Sequence, residues 1–125
     1  MEAANFKPME ISMWLCLRES FLSIVSKDCQ PSELLVRARR PGDIERVFPD
    51  AKVTTDTTAD YLYRSVLPRS VVKSAIAAEI EKISYPNFKS SVEDHLLHDC
   101  YMDVWAAMAG IQPTPPYSGG FRKAS

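Results

Sequence analysis

Arginines are concentrated in residues 34–40, a run that ends at the turn-forming residues Pro41, Gly42 and Asp43. The run favours a β-strand, in which side chains alternate between the two faces. Arg37 and Arg39 therefore share one face, while the apolar residues between and before them supply a core on the other. Guanidinium groups bind phosphates and carboxylates with paired hydrogen bonds. This arginine face, with Arg40 beside it, is the leading candidate for binding a polyanion or an acidic protein surface.

A second strand, residues 60–68, is expected near the arginine face and leaves two alternatives open. If Leu62 and Val66 point to the core, Tyr61 and Tyr63 lie beside the arginines, an arrangement that RNA-binding modules use to stack bases. If the tyrosines point to the core, Arg64 joins the arginines and the patch favours phosphate. The candidate residues are therefore Arg37, Arg39, Arg40, Tyr61, Tyr63 and Arg64. A simpler interpretation is that these arginines only solvate the sheet or protect an edge from aggregation.

Other chemistry has weaker support in the sequence. His95 and His98 lie three residues apart, whereas the helical zinc motif requires a spacing of four with a glutamate between. Cys29, in a turn, is the thiol expected to be exposed, but nothing near it in the sequence activates it. The four glycines do not form a phosphate-binding loop. We therefore expect a protein that is not an enzyme and that needs no metal or cofactor.

Bulk composition excludes several classes of protein. The 125 residues have a net charge of −1, so any polyanion binding must come from local clustering of charge. Three cysteines without paired spacing indicate reduced thiols in a cytoplasmic protein. No signal peptide is visible, and no apolar run approaches the ~20 residues that span a bilayer.

Periodicity predicts the elements that position these residues. Residues 13–17, 21–25, 34–40, 51–58 and 60–68 are predicted strands, with a short helix over residues 43–48 that Asp43 caps. Two longer helices follow, over residues 68–83 and from a capping box at Ser90 and Glu93 to Gly110. Their apolar stripes are Val72, Ile76, Ile80 and Ile83, and then Leu97, Tyr101, Val104, Trp105, Met108 and Ile111.

The order of these elements predicts an α+β fold. We expect an antiparallel sheet of about five strands, with the two long C-terminal helices packed on one face and a partly ferredoxin-like arrangement. Residues 1–8 are predicted to be a loose leader, residues 9–112 a single domain and residues 113–125 a disordered tail rich in proline and glycine.

The chain resembles a group of small, uncharacterised proteins found in bacteria and their phages. The shared elements lie between Met13 and Gln112, and they are the pairs Met13-Trp14 and Val104-Trp105, the run from Phe21 to Val25, Arg37-Ala38-Arg39, the run from Asp60 to Arg64 and the run from Tyr85 to Lys89. The resemblance implies no catalytic residues. It implies a bacterial or phage origin and a cytoplasmic protein.

Two functions are compatible with these observations. The first is a non-enzymatic binding module whose arginine face engages nucleic acid or an acidic protein surface. The second is a protein–protein interaction or oligomerisation module that acts through its helices, such as a phage- or mobile-element-encoded modulator of a host defence complex. A homodimer is compatible with the second function.

Overall fold

The computed structural model describes residues 12–117 of the chain. These residues divide into two compact units, the first ending at Tyr85 and the second beginning at Pro86. The predicted leader over residues 1–8 lies outside the described residues, as do residues 118–125 of the predicted tail. A single domain over residues 9–112 stays a prediction, since a domain is defined by independent folding.

The first unit contains five strands and two helices. In chain order they are β1 (Ser12–Cys16), β2 (Phe21–Val25), β3 (Glu33–Ala38), α1 (Asp43–Val47), β4 (Thr54–Thr55), β5 (Tyr63–Pro68) and α2 (Arg69–Glu81). The strand predicted over residues 51–58 is only two residues long, because an Asx turn follows it: Asp56 accepts hydrogen bonds from the backbone N–H and hydroxyl of Thr58.

The strands form one antiparallel sheet in the order β1-β2-β3-β5-β4. This confirms the predicted α+β fold with a five-stranded antiparallel sheet. Within the segment expected to be partly ferredoxin-like, β5 pairs with both β3 and β4, so it lies between them.

One face of the sheet carries the hydrophobic core of this unit. Side chains of β2, β3 and β5 meet there with α1 and with Val72 of α2. Fully burying one large aliphatic side chain contributes about 1.5–3 kcal/mol, so this cluster is the main source of stability. Its buried members are Leu22, Ile24, Val36, Ala38, Ile44, Phe48, Leu67 and Val72.

Helix α2 contacts the core with only the N-terminal part of its predicted stripe. Val72 is buried and Ile76 packs against the core cluster, whereas Ile80 and Ile83 are exposed. The helix ends at Glu81, so the prediction that the stripe extends to Ile83 was wrong.

The sequence predicted that Asp43 caps α1, and this prediction was wrong. The N-cap is Gly42, whose φ of 89° lies in the left-handed region that favours glycine. Asp43 is instead the first helical residue, and its side chain is 2% exposed. Its carboxylate accepts hydrogen bonds from Arg46 Nη1 at 2.6 Å, Arg40 Nη2 at 3.2 Å and the backbone N–H of Phe21 at 3.2 Å.

The second unit contains α3 (Phe88–Ser91) and α4 (His95–Ala109). Asn87 caps α3 by accepting the Ser90 N–H, and Asp94 caps α4 by accepting the Leu97 N–H, each at 3.1 Å. The predicted capping box was therefore wrong, because the chain forms a separate short helix before α4 begins. Phe88 contacts Tyr101 with ring centroids 5.5 Å apart, which joins the two helices.

Replacing Asp43 with Ala is expected to lower the free energy of unfolding by about 3 kcal/mol. The change removes the shared acceptor of two arginines and of the Phe21 N–H. Denaturant unfolding measures the effect. Glu45→Ala, at an exposed acidic residue of the same helix, is the matched control and should stay within about 0.5 kcal/mol of wild type. Equal losses in both variants would contradict a specific role for Asp43.

Candidate functional site

The register between β3 and β5 settles which side chains share the arginine face. Arg37 lies directly opposite Arg64, whereas Tyr63 lies opposite Ala38 and packs against the core cluster. Directly opposed residues point to the same face of a sheet. The second alternative is therefore the one observed for this strand: Tyr63 points to the core and Arg64 joins Arg37.

Tyr61 reaches the same arginines from outside the strand. It precedes β5, and its ring lies 4.6 Å from the Arg37 guanidinium carbon and 4.0 Å from that of Arg39. Its backbone carbonyl accepts a hydrogen bond from Arg64 Nη1 at 3.4 Å. Arg37, Arg39, Arg64 and Tyr61 thus form one group, which we call the Arg–Tyr61 cluster.

Arg37 is buried, although alternation had placed it on an exposed face. It is 5% exposed and donates a hydrogen bond from Nη2 to Ser23 Oγ at 2.8 Å. Ser23 lies directly opposite Arg37 on β2, so the register supplies this acceptor. The prediction that Arg37 stands in solvent was wrong, because both faces of β3 are covered at this position.

Tyr61 is also buried, at 4% exposure, and two guanidinium groups lie over its ring. Such cation–π contacts are worth about 0.5–2 kcal/mol each and hold the arginines in place. A ring occupied in this way offers no free face to a nucleic acid base. The cluster is therefore suited to hydrogen bonding with an anion rather than to base stacking.

Arg39 and Arg64 are the arginines of the cluster that can still bind an anion. Arg39 is exposed and donates from Nη1 to the backbone carbonyl of Asp60 at 2.9 Å, while Arg64 is half-buried. Among residues 12–117, neither is within salt-bridge distance of a carboxylate. Arg40, by contrast, pairs with Asp43 and does not lie with the cluster.

Helix α4 carries an apolar surface whose exposure the sequence did not reveal. Leu97 and Tyr101 are buried, but the next residues of the same stripe, Val104, Trp105, Met108 and Ile111, are exposed. We call these four residues the α4 stripe. Trp105 is 39% exposed, so its prediction as a core residue was wrong. Residues 104–112 include no charged side chain. Such a segment favours burial, so no signal in the sequence indicated that these residues are exposed.

The titratable residues do not assemble into a reactive centre in the part of the chain described. No group of three or more His, Cys, Asp or Glu side chains is placed to hold a metal ion. Cys100 is the exposed thiol, rather than Cys29 as expected. Burial raises the pKa of the Cys16 thiol, which lowers its reactivity at neutral pH.

A groove of about 370 Å³ lies between the β1–β2 turn, α1 and α2. Its basic residues already have partners: Arg46 bonds Asp43, Lys82 bonds Glu79, and Arg18 lies 5.9 Å from the Tyr85 ring centroid. The groove therefore presents no side-chain set that selects a particular ligand. Across residues 12–117, no helix has the length and apolar character needed to cross a bilayer.

Comparisons of the chain with protein-family models, curated proteins and solved structures find no match. The resemblance to small bacterial and phage proteins therefore stays a prediction. Function has to be inferred from the geometry of the Arg–Tyr61 cluster and the α4 stripe.

Two buried serines, Ser23 of β2 and Ser65 of β5, are expected to respond oppositely to mutation. Ser23→Ala removes the acceptor of a charged donor and should lower the free energy of unfolding by about 1.5–3 kcal/mol. Ser65→Ala removes a buried hydroxyl that has no hydrogen-bond partner among the described residues, so stability should stay the same or rise by up to about 1 kcal/mol. Thermal and denaturant unfolding of the two variants measure the difference. A loss of similar size at both positions would show that the Ser23–Arg37 bond adds nothing specific.

Proposed function

We propose that this protein is a non-enzymatic protein-binding module whose α4 stripe docks into an apolar groove of a partner. The carrying observation is that three large apolar side chains on one face of α4, together with Ile111 in the turn after it, are 39–74% exposed. An exposed contiguous apolar patch on a small domain is typical of an interaction site.

The α4 stripe continues the apolar face of α4 whose first members, Leu97 and Tyr101, are buried. Residues three and four apart lie on the same face of a helix, so Val104, Trp105 and Met108 extend the line of Leu97 and Tyr101. The covered part anchors the helix, and the uncovered part is available for contact. Anchors with this spacing characterise helices that bind in grooves.

The acidic residues of α4 and of the turn before it favour a partner with a basic surface. The described chain has no lysine or arginine after Lys89, while Glu93, Asp94, Asp99 and Asp103 are all exposed. Asp99 and Asp103 lie about 140–180° around α4 from Met108, and Lys89 Nζ lies 5.2 Å from the Trp105 ring centroid of the stripe. The carboxylates would therefore attract a basic partner at long range and favour encounter, rather than contact the border of its groove. The resemblance to phage proteins makes a host complex in the bacterial cytoplasm a suitable source of this partner.

Changing Met108 to Asp should weaken partner binding by about 30-fold or more, since it places a charge at the centre of the apolar contact. The partner is first identified by capture from a bacterial lysate, and binding is then measured by calorimetry with both proteins purified. Leu96→Asp is the matched control, because Leu96 is 74% exposed and lies about 18 Å along α4 from Met108 and about 120° around the helix.

Support requires that Leu96→Asp binds within about threefold of wild type and that the purified partner carries an apolar groove. Both helix variants change exposed positions, so their stability should stay within about 0.5 kcal/mol of wild type. Equal binding by Met108→Asp and Leu96→Asp would refute the α4 stripe as the contact surface.

A second candidate function rests on the Arg–Tyr61 cluster. Among the described residues, Arg39 and Arg64 form no salt bridge, although the hydrogen bonds of its own turn and then the nearby Arg64 lower the pKa of the Asp56 carboxyl. Tyr61 contacts both arginines. Two guanidinium groups held in this way favour phosphate or carboxylate groups of a polyanion. Arg37 supports Tyr61 from the buried side and is a positioning residue in this function.

The double change Arg39→Gln with Arg64→Gln should remove polyanion binding. Fluorescence anisotropy with a labelled single-stranded RNA and with a labelled acidic peptide distinguishes the two sources of anionic groups. For RNA, losing two phosphate contacts should reduce the slope of log K against log salt by about 1.4. Lys27→Gln with Lys73→Gln is the control, because it removes the same charge from exposed positions. Equal effects of both double variants would show that the polyanion responds only to the overall charge of the protein and would refute a specific role for the Arg–Tyr61 cluster.

A further inference from the structure

Strand β1 forms one border of the sheet and has a free edge. Its described backbone partner is β2, and no other strand of residues 12–117 lies beside it. The opposite border, β4, has only two residues, both threonine, and so presents few free backbone groups. A five-residue edge such as β1 is long enough to pair with another strand.

The phase of the β1–β2 hairpin determines which backbone groups of β1 point outward. Leu17 donates its N–H to the carbonyl of Ser20, so this pair is hydrogen-bonded across the hairpin. Hydrogen-bonded and non-hydrogen-bonded pairs alternate along an antiparallel ladder. The N–H and C=O groups of Ser12, Trp14 and Cys16 therefore point away from β2, toward the free edge.

The edge lacks the features that normally prevent pairing. Residues Ser12–Cys16 include no charged residue and no proline. The two largest side chains are exposed, Trp14 at 66% and Met13 at 48%. Protected edges instead carry lysine, proline or a bulge.

We propose that β1 pairs antiparallel with β1 of a second copy of this chain, which joins two five-stranded sheets into one. The pairing is centred on Trp14, so that Trp14 lies opposite Trp14 of the second copy and Ser12 lies opposite its Cys16. This register uses all three outward-pointing residues of each copy, whereas a shift by two residues uses only two. It is also isologous, as a two-fold dimer requires.

Side-chain sizes fit this register. The strand reads small, large, Trp, large, small, so each residue meets one of similar size in the second copy. Met13 would lie opposite Leu15, which packs against the core cluster. The core face would thus continue across the two-fold axis, and the two Trp14 rings would meet on the other face.

Cross-linking tests this register directly. In a full chain carrying Cys29→Ser and Cys100→Ser, Ser12→Cys should form a disulfide-linked dimer with Cys16 when diamide oxidises the two thiols. Residues of a hydrogen-bonded antiparallel pair have Cα atoms about 5.5 Å apart, within disulfide range. Because burial raises the pKa of Cys16, the oxidation is run at pH 8.5, where more thiolate is present.

Met13→Cys in the same background is the matched control, since its side chain lies on the opposite face and should give no cross-link to Cys16. Cys16 alone should not cross-link either, because the two copies of this residue would lie about 14 Å apart. Cross-linking of Met13→Cys as strong as that of Ser12→Cys would overturn the register.

Sedimentation velocity over micromolar to submillimolar concentrations supplies a test without cysteine changes. Wild type should form a concentration-dependent dimer, and Trp14→Lys should be monomeric throughout. Met108→Asp should dimerise like wild type. Dimerisation through β1 is thereby tested independently of partner binding through the α4 stripe. A monomeric wild type, or a dimer that Trp14→Lys leaves unchanged, would refute pairing through β1.

Discussion

Asp43 places a carboxylate inside the protein, and a buried charge is tolerated only when it is paired and hydrogen-bonded. The pairing involves elements that are far apart in sequence: the start of β2 through Phe21, the turn after β3 through Arg40, and α1 through Arg46. The same helix supplies Ile44 to the hydrophobic core. The position of α1 over the sheet therefore depends on satisfying this one charge, and two arginines are committed to it.

Contacts within the protein occupy several of the arginines, and this limits the anion binding that they can provide. Arg37 is held by Ser23 and by the Tyr61 ring, and Arg40 by Asp43. The apparent basic stripe of the sequence is thereby reduced to Arg39 and Arg64 at its border. Apolar surface shows the reverse pattern, because Trp14, Trp105 and Met108 are exposed although their types favour burial. These exposed residues, rather than the arginines, are the stronger indication of partners.

Alternation and helical spacing were sufficient to predict β2, β3, β5 and the core positions Val36, Ala38 and Val72, since these signals are local. They were insufficient for Arg37, because burial of the second face of β3 depends on Tyr61, which is distant in sequence. Nor could spacing show that Tyr101 is buried and Trp105 is exposed, since both residues lie on the same face of α4. The capping box failed for a related reason: Asn87 and Asp94 compete successfully for the nearby backbone N–H groups. Whether a periodic residue is covered depends on tertiary contacts that periodicity does not contain.

The pairing of β3 with β5 has a consequence for the order in which the sheet assembles. The β1–β2 hairpin closes over a short turn, whereas β3 and β5 pair only after the chain from residue 39 to residue 62 has been brought back on itself. Closing that longer loop costs more chain entropy before any contact compensates for it. The Asp43 ion pairs form inside this segment and shorten its effective length. A chain newly released from the ribosome would thus complete β1, β2 and β3 first, and would gain its full core only when β5 arrives.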